Sequence, residues 1–298
     1  MSFKETLEKI RSLEIQSSST LTKEGLKSLS EDIQKSKAET TEDLLKELEE
    51  KSEILAHVRD TEPALRNGLK YIKNGVSCAK EKREAKEIIK KCTDDYIGKM
   101  NEAKKKIAEI GEKRIRDGDV LMTHCHSTAV MNIIKKAVEN GKKIEVVCTE
   151  TRPRFQGRIT AKELLDLGIP TTMIIDSAAR RYMNDIDLVL FGADAVTSDG
   201  FLVNKIGTSM VALAAREART TTCTCCETYK FDPETLEGNW EPVEERDPDE
   251  VWTKRPEKLK VLNPAFDFTP PELISFLVCE EGIINIWEAS RIMKEKWS

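Results

Sequence analysis

At 298 residues the chain is long enough to bury a full core and to hold two domains. Charged residues make up 34% of it, aromatics only 5%, and the net charge is −5, so the overall balance gives no reason to expect nucleic acid or an anionic membrane as a partner. No apolar run approaches the ~18 residues that span a bilayer, and the opening Met-Ser-Phe-Lys-Glu has neither the apolar stretch nor the cleavage site of a signal peptide. A cytoplasmic protein with no membrane partner and mostly reduced cysteines is expected.

Residues 1–116 read as helices. Lysine and glutamate dominate, and apolar residues recur at spacings of three and four: Leu44, Leu45 and Leu48, then Ile54 and Leu55; Ala85, Ile88, Ile89 and Cys92; Ile97, Met100, Ala103, Ile107 and Ile110. Ser28, Ser30 and Thr41 are the expected N-caps. Acids and bases alternate in the charge runs, which therefore read as solvated helix faces.

The texture changes at Arg-Asp-Gly-Asp (116–119). Apolar runs of strand length follow at 120–122, 144–148, 172–175, 188–191, 220–226 and 259–262, with helical stretches at 130–140, 161–167 and 210–217 between them. This alternation predicts a parallel sheet covered on both faces. The expected class is α/β: an N-terminal helical domain (1–116) followed by a Rossmann-like parallel-sheet domain (117–298) that carries the active site. An acidic, proline-containing loop at 232–258 interrupts the rhythm.

Polar residues cluster just after these strands, where open α/β sheets bind ligands. Thr-His-Cys-His-Ser (123–127) follows the first and Thr-Glu-Thr-Arg-Pro-Arg-Phe-Gln-Gly (149–157) the second. Asp176 and Ser177 follow the third and Asp194 the fourth, with Glu-Thr-Tyr-Lys-Phe (227–231) after the fifth and Asn-Pro-Ala-Phe-Asp-Phe-Thr-Pro-Pro (263–271) after the sixth. Cys125 precedes an amphipathic helix, whose free N–H groups and dipole are expected to favour its thiolate. A thiolate that takes a proton and a buried Asp194 carboxyl that gives one would form an acid–base pair. If the first strand persists, His124 and His126 share one face and Cys125 points to the other. In Asn-Lys-Ile-Gly-Thr-Ser (204–209), a lysine, a glycine and the start of a helix are expected to make an anion site, with Gly207 letting the backbone approach the ligand and Thr208 or Ser209 capping the helix. Lys230 and Arg152 add positive charge at the same edge. Without Gly-x-Gly-x-x-Gly a dinucleotide cofactor is not expected. Cys223, Cys225 and Cys226 read as small core residues, the first two on one face of a strand; a zinc site with His124 or His126 is the weaker alternative because the ligand spacing is poor. Ile283, Ile284, Ile286 and Trp287 read as core rather than interface.

Together these motifs make residues 116–290 similar to the superfamily that joins ribose-1,5-bisphosphate isomerase, methylthioribose-1-phosphate isomerase and the alpha, beta and delta regulatory subunits of translation initiation factor 2B. The carriers are the segments quoted above with Asp-Ser-Ala-Ala-Arg (176–180) and Gly-Ala-Asp-Ala (192–195). Within the superfamily the chain most resembles the archaeal ribose-1,5-bisphosphate isomerases. That resemblance implies a catalytic cysteine at Cys125 and a catalytic aspartate at Asp194. It implies substrate-binding groups at Asn204, Lys205, Lys230 and Arg59. The family's phosphate-holding Arg-Gly-Ala-Gly is replaced here by Gln-Ser-Ser-Ser-Thr (16–20), so Gln16, Ser17 and Ser18 would bind through hydroxyls and backbone N–H groups.

The substrate so implied carries phosphate on its anomeric oxygen, so its ring cannot open as a free sugar does. An acid must protonate the ring oxygen and a base must take the proton at carbon 2, giving an enol phosphate that collapses to the ketose. Asp194 raised in pKa by burial and Cys125 lowered by the helix end and cations would fill those roles, with no metal or redox cofactor. A homo-oligomer (dimer or hexamer) and a place in AMP or nucleoside salvage, with AMP as a candidate ligand, are also implied. The alternative is a non-catalytic regulatory subunit that binds initiation factor 2 or a nucleotide.

Overall fold

In the computed structural model, which describes residues 1–297, the chain divides into two compact units, Met1–Glu102 and Ala103–Ser298. The first is helical: α1 Phe3–Arg11, α2 Ser18–Gln34, α3 Thr41–Ala56, α4 Pro63–Val76 and most of α5 Lys82–Gly111. Local chemistry sets the helix starts. Ser2 with Glu5 and Thr40 with Asp43 form capping boxes on α1 and α3, and Pro63 opens α4, where its missing N–H costs nothing. The cap of α3 is thus Thr40, not Thr41. Ser28 and Ser30 lie inside α2, because that helix begins ten residues before Ser28; the Ser28 hydroxyl donates back to Gly25 O at 3.0 Å. The heptad-like stripes are sorted by packing: Leu44, Leu48, Leu55, Ala85, Ile89, Met100 and Ile107 are buried, whereas Ile54 stays exposed.

The second unit is a doubly wound α/β structure. Its strands are β1 Val120–Thr123, β2 Glu145–Thr149, β3 Thr171–Ile174, β4 Leu188–Phe191, β5 Ala195–Val196, β6 Leu202–Lys205, β7 Thr221–Cys225, β8 Phe266–Thr269, β9 Phe276–Cys279 and β10 Gly282–Ile284. The helices are α6 Thr128–Glu139, α7 Gln156–Asp166, α8 Ala179–Tyr182, α9 Thr208–Ala218 and α10 Ala289–Trp297. The main sheet runs β3-β2-β1-β4-β7-β9-β10, parallel except for β10. Strand alternation splits its core in two. Leu121, Leu188, Leu190, Cys223 and Cys225 face α6 and α7 on one side, while Met122, Val189, Phe191 and Cys226 meet α9 and α10 on the other.

The run at 259–262 is not a strand. Leu259 and Leu262 are 44% and 67% exposed, so no apolar face is buried there to fix a pairing. The strand that completes the parallel order is β9, and Asn-Pro-Ala-Phe-Asp-Phe-Thr lies instead across β8, in a small antiparallel sheet β5-β6-β8 that also carries Asn204 and Lys205. Near the C-terminus Ile286 is core, but Ile283 and Trp287 are exposed, the first on the edge strand β10. Among the described residues no helix is long and apolar enough to cross a membrane.

Candidate active site

The chain leaves β1 toward β2 on one side and returns to β4 on the other. The crevice between β1 and β4 is therefore the topological switch point, where doubly wound sheets bind ligands. Cys125 lies two residues beyond β1 and Asp194 three beyond β4. The two loops touch: a Cβ on Gly192 would come within 2.6 Å of Ser127 Oγ, so only glycine lets the Asp194 loop pack onto the Ser127 cap of α6.

Cys125 does not continue the strand. Its φ is +69°, a left-handed conformation that costs a residue with a side chain on the order of 1 kcal/mol or more and needs outside support. Threonines supply it. The Cys125 N–H donates to Thr151 Oγ1 at 2.9 Å, and the Thr160 hydroxyl donates to Cys125 O at 2.9 Å. Thr151 is itself left-handed at φ +61°, and both its N–H and that of Arg152 donate to the Asp176 carboxylate at 2.7 Å. Loops after β1, β2 and β3 are thus knitted together. Because β1 stops at Thr123, the strand-face argument for the histidines does not apply. The Thr160 hydroxyl proton is committed to Cys125 O, so His126 Nδ1 is the donor in its 3.0 Å contact with Thr160 Oγ1. His124 is fully buried.

The thiol is not the stabilised thiolate expected from the helix end. Burial pushes Cys125 up to about 11; Lys205 and the His126 N–H pull it down by less, and the Asp194 and Asp176 carboxylates push it further up. The helix contributes little because α6 begins only at Thr128, with Ser127 at its cap. The same balance places Lys205 and Asp194 within electrostatic reach of one sulfur.

The cations are held by backbone carbonyls. Lys230 Nζ donates to Ala193 O at 2.6 Å, next to Asp194. Lys205 is buried; its Nζ donates to Ala265 O at 2.9 Å and sits 4.7 Å over the Phe266 ring. Asn204 Nδ2 donates to Thr208 Oγ1 at 2.9 Å. Arg152 is spent on Val251 O and the face of Phe155.

The predicted anion cradle at the start of α9 is already filled. The register of β6 on β8 pairs Asn204 with Asp267, and that carboxylate accepts from Gly207 N at 2.8 Å and Ser209 N at 3.2 Å. It therefore takes the capping place expected for Thr208 or Ser209, with Gly207 at the N-cap position. Burial raises Asp267 to about 6 even against those N–H donors and Lys205. Asp267, Thr151 and Thr160 are site residues that sequence reading did not single out. Only pairing register could have pointed to Asp267, and nothing local marks the threonines.

In the helical unit Arg59 Nη1 donates to Gln16 O at 3.2 Å and faces Glu62 at 3.6 Å, so two of the expected phosphate-binding elements meet there. Ser17 caps α2 without a side-chain bond, and the Ser18 hydroxyl is buried with no hydrogen-bond partner. Among the described residues no group of three or more His, Cys, Asp or Glu is arranged to hold a metal ion.

Comparison with known proteins gives the chain's family and fold relatives. Residues 14–286 match the model of the Initiation factor 2 subunit family. A ribose 1,5-bisphosphate isomerase of Pyrococcus furiosus is 43% identical over 98% of this chain and 93% of its own. One from Methanocaldococcus jannaschii is 42% identical over 94% and 91%. Among solved structures, a translation initiation factor eIF-2B of Pyrococcus horikoshii OT3 superposes with a TM-score of 0.83 at 29% identity, over 95% of this chain and 96% of that one. A 5-methylthioribose 1-phosphate isomerase from the same organism gives 0.80 at 26% identity, over 99% and 87%.

Proposed function

This chain belongs to the Initiation factor 2 subunit family, and from that premise we propose that it is an aldose–ketose isomerase converting ribose 1,5-bisphosphate to ribulose 1,5-bisphosphate. The observation that carries the mechanism is the placement of Cys125 and Asp194 on touching loops at the β1/β4 switch point. In its protonated form Asp194 gives its proton to the ring oxygen as the C1–O4 bond breaks, and Cys125 sulfur takes the proton from carbon 2. The enol phosphate then recovers a proton at carbon 1 from sulfur, while the 2-hydroxyl returns one to Asp194 as the ketone forms. Both groups end as they began. The sulfur must be charged for the first step, against the burial that holds it neutral; Lys205 and the His126 N–H are the groups that support that charge.

Lys205, Lys230 and Asn204 are assigned to the substrate's phosphates and hydroxyls, and the resemblance assigns Arg59, Gln16, Ser17 and Ser18 of the helical unit to phosphate. A cytoplasmic homo-oligomer, dimer or hexamer, with AMP as a regulating ligand belongs to the same proposal. Incubating the pure protein with ribose 1,5-bisphosphate and following ribulose 1,5-bisphosphate by NMR tests it. Turnover that falls by about 10²–10⁴ in both Cys125→Ser and Asp194→Asn is the expected result. No turnover, together with a co-purifying initiation factor 2 subunit, would favour the regulatory alternative.

A further inference from the structure

Cys125 sits on the loop after β1 of the main sheet and Lys205 ends β6 of the small one, so something must fix their separation. A side chain that bonds to both surroundings is His124, which is 1% exposed. Its Nε2 lies 2.9 Å from Ile206 O. A carbonyl only accepts, so Nε2 carries the proton and Nδ1 is the acceptor. The partner of Nδ1 is Thr149 Oγ1 at 2.6 Å, whose hydroxyl must therefore donate. Thr149 Oγ1 in turn lies 3.3 Å from Thr151 Oγ1, the atom that accepts the Cys125 N–H. The protons run one way: Cys125 N–H to Thr151, the Thr151 hydroxyl to Thr149 (shared between its Oγ1 and its carbonyl O at 3.4 Å), Thr149 to His124, and His124 to Ile206 O. Thr149 and Thr151 are fully buried, so water does not compete for these bonds. The ring also lies against Gly207, where an added Cβ would meet its Cε1 at 2.9 Å. The close approach allowed by Gly207 is therefore spent on His124, not on a ligand.

We infer that His124 is a positioning residue: as a neutral imidazole it ties the left-handed turn of Cys125 to the Ile206–Gly207 turn between β6 and α9, and so sets the distance between the sulfur and Lys205. The imidazole touches no reacting atom. It acts through the geometry of two groups that do, and a misplacement of about 1 Å between such groups costs on the order of 10² in rate. Burial, which disfavours the imidazolium, keeps Nδ1 free to accept.

The kinetic arm of the test rests on the isomerase reading; a second arm does not. His124→Gln carries both an amide N–H to take the place of Nε2 on Ile206 O and an amide oxygen to accept from Thr149, whereas His124→Asn puts its oxygen near Nδ1 and leaves Ile206 O without a donor. Thr149→Val removes the donor to Nδ1 while leaving the ring in place. Expected are a kcat/KM within a few-fold of wild type for His124→Gln, and losses of about 10- to 100-fold, mainly in kcat, for His124→Asn and Thr149→Val. In the second arm, iodoacetamide alkylation of Cys125 is followed by peptide mass mapping. His124→Asn and Thr149→Val should change its rate several-fold, and His124→Gln should not. If wild type proves inactive, the isomerase reading fails and alkylation alone judges the inference. Wild-type alkylation in both His124→Asn and Thr149→Val overturns it, as does equal damage from His124→Gln and His124→Asn. Should His124→Asn not fold, Thr149→Val decides.

Discussion

The protonation of Cys125 is the point at which structure and sequence pull apart, and it makes a quantitative prediction. Burial holds the thiol at about 11, against 9.0 for an unperturbed one. That difference means about 100-fold less thiolate at neutral pH, and only the thiolate is alkylated. The sign is that of an acid whose neutral form is favoured by folding, so reactivity should climb about tenfold per pH unit through pH 10 without levelling off. Iodoacetamide kinetics resolved by peptide mapping separate Cys125 from the exposed Cys78. Lys205→Met removes the cation that opposes burial and should slow Cys125 alkylation throughout this range, whereas Asp194→Asn removes a carboxylate that pushes the thiol up and should speed it. A plateau with a midpoint at or below pH 9, or faster alkylation in Lys205→Met, would refute the claim that desolvation dominates this sulfur.

Other consequences are as definite. Lys230→Met should raise KM for the bisphosphate more than it lowers kcat, because Lys230 reaches Ala193 O beside Asp194 without being a proton-transfer group; steady-state kinetics separate the two effects. The Asp267 carboxyl should titrate by ¹³C NMR with a midpoint about 6, and a midpoint near 4 would mean that water reaches it. Since that pKa is raised, folding is relatively favoured below it: Asp267's contribution to stability should fall as pH rises from 4 to 6. Thr40→Ala removes the capping box of α3 and should cost about 1 kcal/mol in urea unfolding, more than Thr41→Ala, which loses only the exposed hydroxyl bond to Lys80 O.

The sequence alone determined the helical first part, five of the six strand positions to within a residue, and the presence of Cys125 and Asp194 just beyond strands, because hydrophobic period and turn chemistry are local properties of the chain. It also held the motifs that resemble the isomerases. The tertiary structure decided the rest. Strand order, which makes the β1/β4 crevice a switch point, follows from which faces are buried together. The register of β6 on β8 sets Asp267 across from Asn204 and fills the helix end that looked free for an anion. The exposed leucines at 259 and 262 looked like a strand only because an apolar run does not show whether anything will cover it. The charge state of Cys125 is likewise non-local: a helix start can be read from neighbouring residues, but desolvation is the sum of everything packed around the sulfur, and here it outweighs the nearest cation.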